Sequence, residues 1–277
     1  MRELVDSFGS PFFQRALLEA VLVGAITGVI GVHVLLRRLP FFVVAMSHAT
    51  FPGVVLASVA GVSTLVGGWT FGVVVALLVA MLGTNRMLDE TSAVGVVLAG
   101  SFALGVVVLS ARSTGSRDLS AFLVGSVLTV TRSDIVTTAI VGAALLLTLA
   151  VFHKELVFGA FDPGGASAAG YRTSRLDVLM LIVVTVALVT AVPAVGTLLA
   201  VALLTVPAMT ARLWSERVAP TMILAAVIGA TSGVVGLCLS SMWGIAAGGA
   251  IALTCTAAFV VSLVITTLPT FSRSMYP

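Results

Sequence analysis

The chain has 277 residues, of which 59% are hydrophobic and only 9% charged, and its mean hydropathy is +1.21. Soluble domains carry about 25% charged residues, so this chain has too little charge to cover a water-facing surface. A disordered chain, a secreted disulfide scaffold and a nucleic-acid binder are excluded: the net charge of +3 includes no basic cluster of the kind that phosphate backbones require.

A hydrocarbon core about 30 Å thick calls for roughly 20 apolar residues per helix. In chain order such runs fall at Phe13–Leu36, Phe41–Gly61, Leu65–Thr84, Ala93–Ala111, Ile135–Phe152, Val178–Val192, Ala194–Leu213, Met222–Leu239 and Gly244–Leu268. Val178–Leu213 is too long for one crossing, and Val192-Pro193 near its middle predicts a break there. The count is therefore nine, with eight spans and one re-entrant run as the alternative. Leu119–Val130 is too short to cross and predicts a re-entrant or interfacial piece. Glu3 and Asp6 spoil a positive leader region, and the apolar run that follows is too long for a signal peptide. Cys238 and Cys255 lie inside apolar runs without C-x-x-C spacing and read as small core residues.

If nine spans alternate, Arg37, Arg38, Arg86, Lys154, Arg172, Arg175, Arg212, Arg217 and Arg273 collect on one side. Arg2, Arg15, Arg112, Arg117 and Arg132 collect on the other. The excess places the first group in the cytoplasm, with the N-terminus outside and the C-terminus inside. The longest polar interval, His153–Asp177, then lies on the cytoplasmic side. Within it Asp162 suits a cap, Pro163 a first helical position and Gly170 a left-handed end, which predicts a helix of about two turns. It reads either as a solvated connector or as a docking element for a cytoplasmic partner.

The chain has a single lysine, Lys154, and no glycine-rich Gly-Lys-Ser/Thr loop, so any ATP used is hydrolysed by another polypeptide. Enzyme chemistry is poorly supplied: no H-E-x-x-H or G-x-S-x-G motif is present, and Ser47 and His48, adjacent on a helix, point about 100° apart. The informative residues are the polar ones inside spans, where lipid makes them costly: Glu19, His33, Ser47, His48, Thr205 and Thr210. Glu19 lies four residues after Arg15, which predicts a snorkelling pair. His33 and His48 fall at similar depth on neighbouring spans, whereas Glu19 and His33 are about 21 Å apart along one helix. His48 is the foremost ligand candidate, because imidazole suits zinc or manganese and its proton equilibrium permits release. Pro52, Pro193 and Pro207 mark places where broken helices free backbone carbonyls beside a cavity. Gly24, Gly28, Gly31 and Gly229, Gly233, Gly236 recur at three- to four-residue spacing, a signal for close helix packing.

Four stretches carry a resemblance. The run LRRLPFFVVAMSHATFPG at Leu36–Gly53 is similar to the second-span signature of the metal-ion permeases of ABC importers, the zinc, manganese and iron class. KELVFGAFDPGGASAAGY resembles their coupling segment, AVGTLLAVALLTVPAMTARL a later helix, and GLCLSSMWGIAAGGAIAL the final loop and span. The resemblance implies an all-α, polytopic transmembrane bundle of eight or nine spans, forming a single permease domain over 1–277. It implies a homodimer that takes ions from an extracytoplasmic metal-binding protein and is driven by a cytoplasmic ATP-binding subunit pair. No cofactor is held permanently; a divalent metal ion is the cargo.

On that basis His48, His33 and Ser47 are the candidates for a transient metal site, and Pro52, Pro193 and Pro207 for its helix breaks. Glu155, Phe161, Asp162, Pro163 and Gly170, within 153–177, are the candidates for ATPase coupling. Two positions depart from the family pattern: Val44 stands where many members have an acidic residue one turn before the histidine, and Gly244 and Ala246 replace Asp and Pro in the last outer turn. Losing that carboxylate weakens manganese holding more than zinc holding, unless His33 takes its place. The alternatives are a permease for a metal chelate or vitamin, and a stand-alone ion-coupled carrier, which would need intramembrane carboxylates and matching halves.

Overall fold

In lipid a lone apolar segment satisfies its backbone only by coiling into a helix, and the computed structural model, which describes residues 10–83, 90–111 and 130–274, is built of helices. They are α1 (Pro11–Leu36), α2 (Pro40–Ala49), α3 (Phe51–Ala60), α4 (Thr64–Gly83), α5 (Glu90–Ser110), α6 (Arg132–Val151), α7 (His153–Phe161), α8 (Pro163–Ala168), α9 (Thr173–Val195), α10 (Thr197–Arg212), α11 (Val218–Trp243) and α12 (Ala247–Ser274). The helix starts follow local chemistry. Ser10 accepts from the Phe13 amide ahead of α1, and Thr131 and Asp134 form a reciprocal capping box at α6.

Eight helical segments among the described residues are long and apolar enough to cross a membrane, α2 and α3 together making one of them. The chain is thus a multi-pass membrane protein. The ninth expected span is the shorter α10: its 16 residues reach about 24 Å at the standard rise. The break before it is also displaced. Pro193 stays inside α9, and the chain turns at Gly196, whose φ of +80° favours glycine. Pro193 lies in the last turn of α9, where losing one backbone bond costs little; Gly196 permits the reversal. The Leu119–Val130 run lies outside the described residues apart from Val130.

α1 is the axis of the bundle. Fourteen of its residues are buried, and its glycines meet α10 and α11 at backbone distance. A Cβ on Gly24 would stand 2.5 Å from the Gly229 carbonyl oxygen, and one on Gly28 equally close to that of Ala225, while Gly31 abuts Leu204. The expected small-residue packing therefore joins α1 to α11 directly. The same contacts fix directions. Val32 clusters with Ala208, Ala211 and Ala225, so α10 runs alongside α1 and α11 runs against it. Arg37 at the end of α1 pairs with Asp177 at the start of α9, so α9 also runs against α1. One end of the bundle consequently gathers Arg37, Arg38, Lys154, Arg172, Arg175, Arg212 and Arg217, seven of the nine basic residues that the charge bias assigns to the cytoplasm; Arg86 lies outside the described residues.

Because carbonyl oxygens cannot retreat as flexible side chains do, Gly24→Ala and Gly229→Ala should each destabilise the bundle by about 1–3 kcal/mol. The effect is read as a lowered apparent melting temperature in detergent. Gly249→Ala, which points into open space, should leave it unchanged.

Candidate translocation path and coupling segment

The second span is a broken helix, and His48 sits at the break. α2 stops at Ala49, Thr50 bridges, and Pro52 occupies the first turn of α3. Having no N–H, Pro52 gives nothing to the carbonyl of His48 one turn back, and the Thr50 amide turns to that carbonyl and to the one of Met46 instead. The ring of His48 is half-buried, edge-on to Phe102 of α5 with centroids 6.3 Å apart. It lines an open groove of about 350 Å³ with Gly95, Leu98, Ala99 and Phe102. Val44, one turn earlier on the same face, is 42% exposed and supplies no ligand. Ser47 is buried, and its hydroxyl is spent on the Val44 carbonyl at 2.7 Å.

The structure brings His33 to a different histidine from the one the depth match suggested. His33 is buried near the end of α1, and its ring lies edge-on to His153 at 6.0 Å, at the start of the coupling segment. Its Nε2 is enclosed without a hydrogen-bond partner. The second helical partner was invisible in the sequence because His153 is 120 positions away and outside any span.

Glu19 corrects a further expectation. It pairs with Thr138 of α6, whose hydroxyl donates to Oε1 at 2.7 Å, and not with Arg15. The side chain is fully buried between helices, not drawn to the surface. Among the described residues no group of three or more His, Cys, Asp or Glu side chains is gathered closely enough to hold a metal ion. Pro207 lies inside α10 and is buried, and Thr205 and Thr210 bond back to carbonyls of their own helix.

The interval 153–177 is not a loop with one helix but two helices in sequence, α7 and α8. Asp162 caps α8 by accepting from the Gly165 amide at 2.8 Å, Pro163 starts it, and Gly170 follows it at φ +89°, as the residue pattern predicts. Phe161, Asp162, Pro163 and Gly170 are exposed, Phe161 by 61%. The base is anchored: Leu156 is fully buried, Arg37 donates to its carbonyl at 3.3 Å, and the same guanidinium pairs with Asp177. One Glu155 carboxylate oxygen is buried without a partner. A cavity of about 690 Å³ opens beside this tip, between Arg37, Arg38, Phe161, Pro163 and Asp177.

The model of the ABC 3 transport family matches residues 10–266. The chain belongs to that family. It is 34% identical over 254 residues to the manganese import system permease protein ScaB of Streptococcus gordonii, covering 92% of this chain and 91% of that one. It is likewise 34% identical over 251 residues to the manganese transport system membrane protein MntC of Listeria monocytogenes, covering 91% and 89%. Among solved structures, PsaBC from Streptococcus pneumoniae in complex with Fab matches with a TM-score of 0.84 at 33% identity, over 94% of each chain. An inward-facing conformation of a putative metal-chelate type ABC transporter matches at 0.75 and 18% identity, over 91% of this chain and 85% of that one, a likeness of fold. As a member, the chain is a transport permease of the cell membrane and not an enzyme.

Removing the α8 cap tests the coupling tip. Asp162→Ala should cost about 1 kcal/mol locally, seen as roughly fivefold faster amide hydrogen exchange at Gly165 and Ala166, with the spans unaffected.

Proposed function

We propose that this chain is the membrane-spanning subunit of an ATP-driven importer of a free divalent transition-metal ion, with manganese as the first choice and zinc the second. What carries the reading is that relatives 34% identical over nine-tenths of the chain are named for manganese import. The geometry supports it. A bare divalent ion cannot enter hydrocarbon, so its path needs ligands or water, and release requires that the ligands hold it weakly.

His48 is the ligand at the centre of that path. Its imidazole stands at a helix break, where a few donors give a passing site instead of the closed cage of structural zinc. Ser47, with its hydroxyl bonded to its own helix, shapes the turn. His33 stands with His153 at the basic end, so an ion that has passed His48 meets it on leaving and does not share one shell with it. The groove beside His48 is open on one side, and a second copy of the chain would close it into a path on the dimer axis.

Energy comes from a separate pair of ATP-binding subunits, and ions arrive from an extracytoplasmic binding protein. The exposed tip Phe161–Gly170 docks on the ATPase, and Arg37 transmits its movement, because one guanidinium holds both α7 and α9 to the end of α1.

The test is uptake of radioactive manganese in cells expressing the full system. His48→Ala should lower uptake at least tenfold. Deleting Asp162–Gly170 should abolish it while the protein still inserts in the membrane. Wild-type uptake by the deletion would refute the docking role, and unchanged uptake by His48→Ala would refute the path. Competition by free ion but not by a chelate separates the reading from a chelate or vitamin permease.

A further inference from the structure

A carboxylate inside a membrane bundle is expensive, and each one calls for a named partner. Glu19 has half of one. Oε1 accepts from Thr138, while Oε2, equally enclosed, has no hydrogen-bond partner. The carboxylate borders a cavity of about 60 Å³, together with Asp134, Thr137, Thr138, Thr190 and Pro193. That holds a few waters, enough for a divalent ion with part of its hydration shell. Apart from apolar groups, its walls carry only oxygen: two carboxylates and three hydroxyls, of which those of Thr137 and Thr190 already bond to carbonyls of their own helices and that of Thr190 accepts from Trp69 as well. Oxygen sets suit hard cations such as manganese, whereas imidazole suits zinc equally well.

A second cavity, of about 110 Å³, shares Leu65 and Pro193 with it and reaches Thr50 in the bridge of the second span, whereas His48 lines a separate groove against α5. Glu19 is on the side of the bundle away from the basic end, some 21 Å along α1 from His33.

We propose that Glu19, with Asp134 and the hydroxyl of Thr138, forms an all-oxygen binding station for the cargo cation at the end of the bundle away from the basic residues. This station favours manganese over zinc. The identity of the cargo rests on the reading given under Proposed function; the existence of the site does not. Asp134 is already engaged with Thr131 in the α6 capping box, so it contributes charge more than ligation, and Glu19 is the residue that touches the ion.

The experiment uses the full-length permease in lipid nanodiscs, titrated separately with Mn²⁺, followed by the electron paramagnetic resonance signal of free Mn²⁺, and with Zn²⁺, followed by a competing zinc dye. Glu19→Gln keeps the size of the side chain and its bond with Thr138. It should weaken Mn²⁺ binding at least tenfold and Zn²⁺ binding less than twofold, and Glu19→Asp should restore part of the Mn²⁺ affinity. Superimposable Mn²⁺ titrations for wild type and Glu19→Gln overturn the proposal. So does an equal loss of both metals, which is the mark of a merely structural carboxyl. If Glu19→Gln does not assemble, Thr138→Val takes its place, since it removes an oxygen donor and leaves the carboxylate: selective loss of Mn²⁺ supports the station and unchanged Mn²⁺ binding overturns it. Failure of the wild-type transporter to move either metal would strike the cargo assignment alone, because the titration reads the Glu19 site without transport.

Discussion

Inside hydrocarbon a polar atom without a partner costs several kcal/mol, and that cost organises the whole chain. Most hydroxyls meet it in the cheapest way, by bonding to a carbonyl three or four residues back on their own helix. Thr27, Thr50, Thr185, Thr205 and Thr210 all do so. These residues are polar in composition only; in the fold they behave as part of the helix. Among the described residues the buried side-chain atoms that escape this rule are few: Glu19 Oε2, His33 Nε2, Arg37 Nε, one oxygen of Glu155 and the Thr197 hydroxyl. Function in such a protein is found by asking which polar groups the helices have not absorbed.

The packing has one tight seam and one tether. α1 and α11 meet through glycine at backbone distance, which leaves little play between them. α7 and α9 are tied to the end of α1 by a single guanidinium that touches both at once, whereas the broken second span borders an open groove beside His48.

Much of this was legible in the residues. Apolar run lengths mark the spans, and Asp162, Pro163 and Gly170 announce α8 through local hydrogen bonding. The glycine stripes of the first and eighth runs identify two helices that pack closely and prove to pack on each other. What was not legible depends on distant partners. Arg15 is one turn from Glu19 in sequence, yet Thr138, 119 positions away, takes the carboxylate. His33 matched His48 in depth, but azimuth around the helix, which spacing along two different helices cannot give, turns it to His153. Pro193 looked like the break because proline is the usual helix breaker; near a helix end its cost is small, and Gly196, with its positive φ, makes the turn.

The glycine seam also bears on how the protein is made. α1 leaves the ribosome first, while Leu204, Ala225 and Gly229, which fill its notches, are encoded some 200 residues later. Until then the opening helix stands in the bilayer with its closest neighbours unsynthesised, although Thr138 and His153, which meet its carboxyl and its imidazole, have already been made. Completion of the permease is thus a late event, in which the last third of the chain must find and clasp the first, and a truncated product would leave a polar, half-assembled stem for membrane quality control to remove.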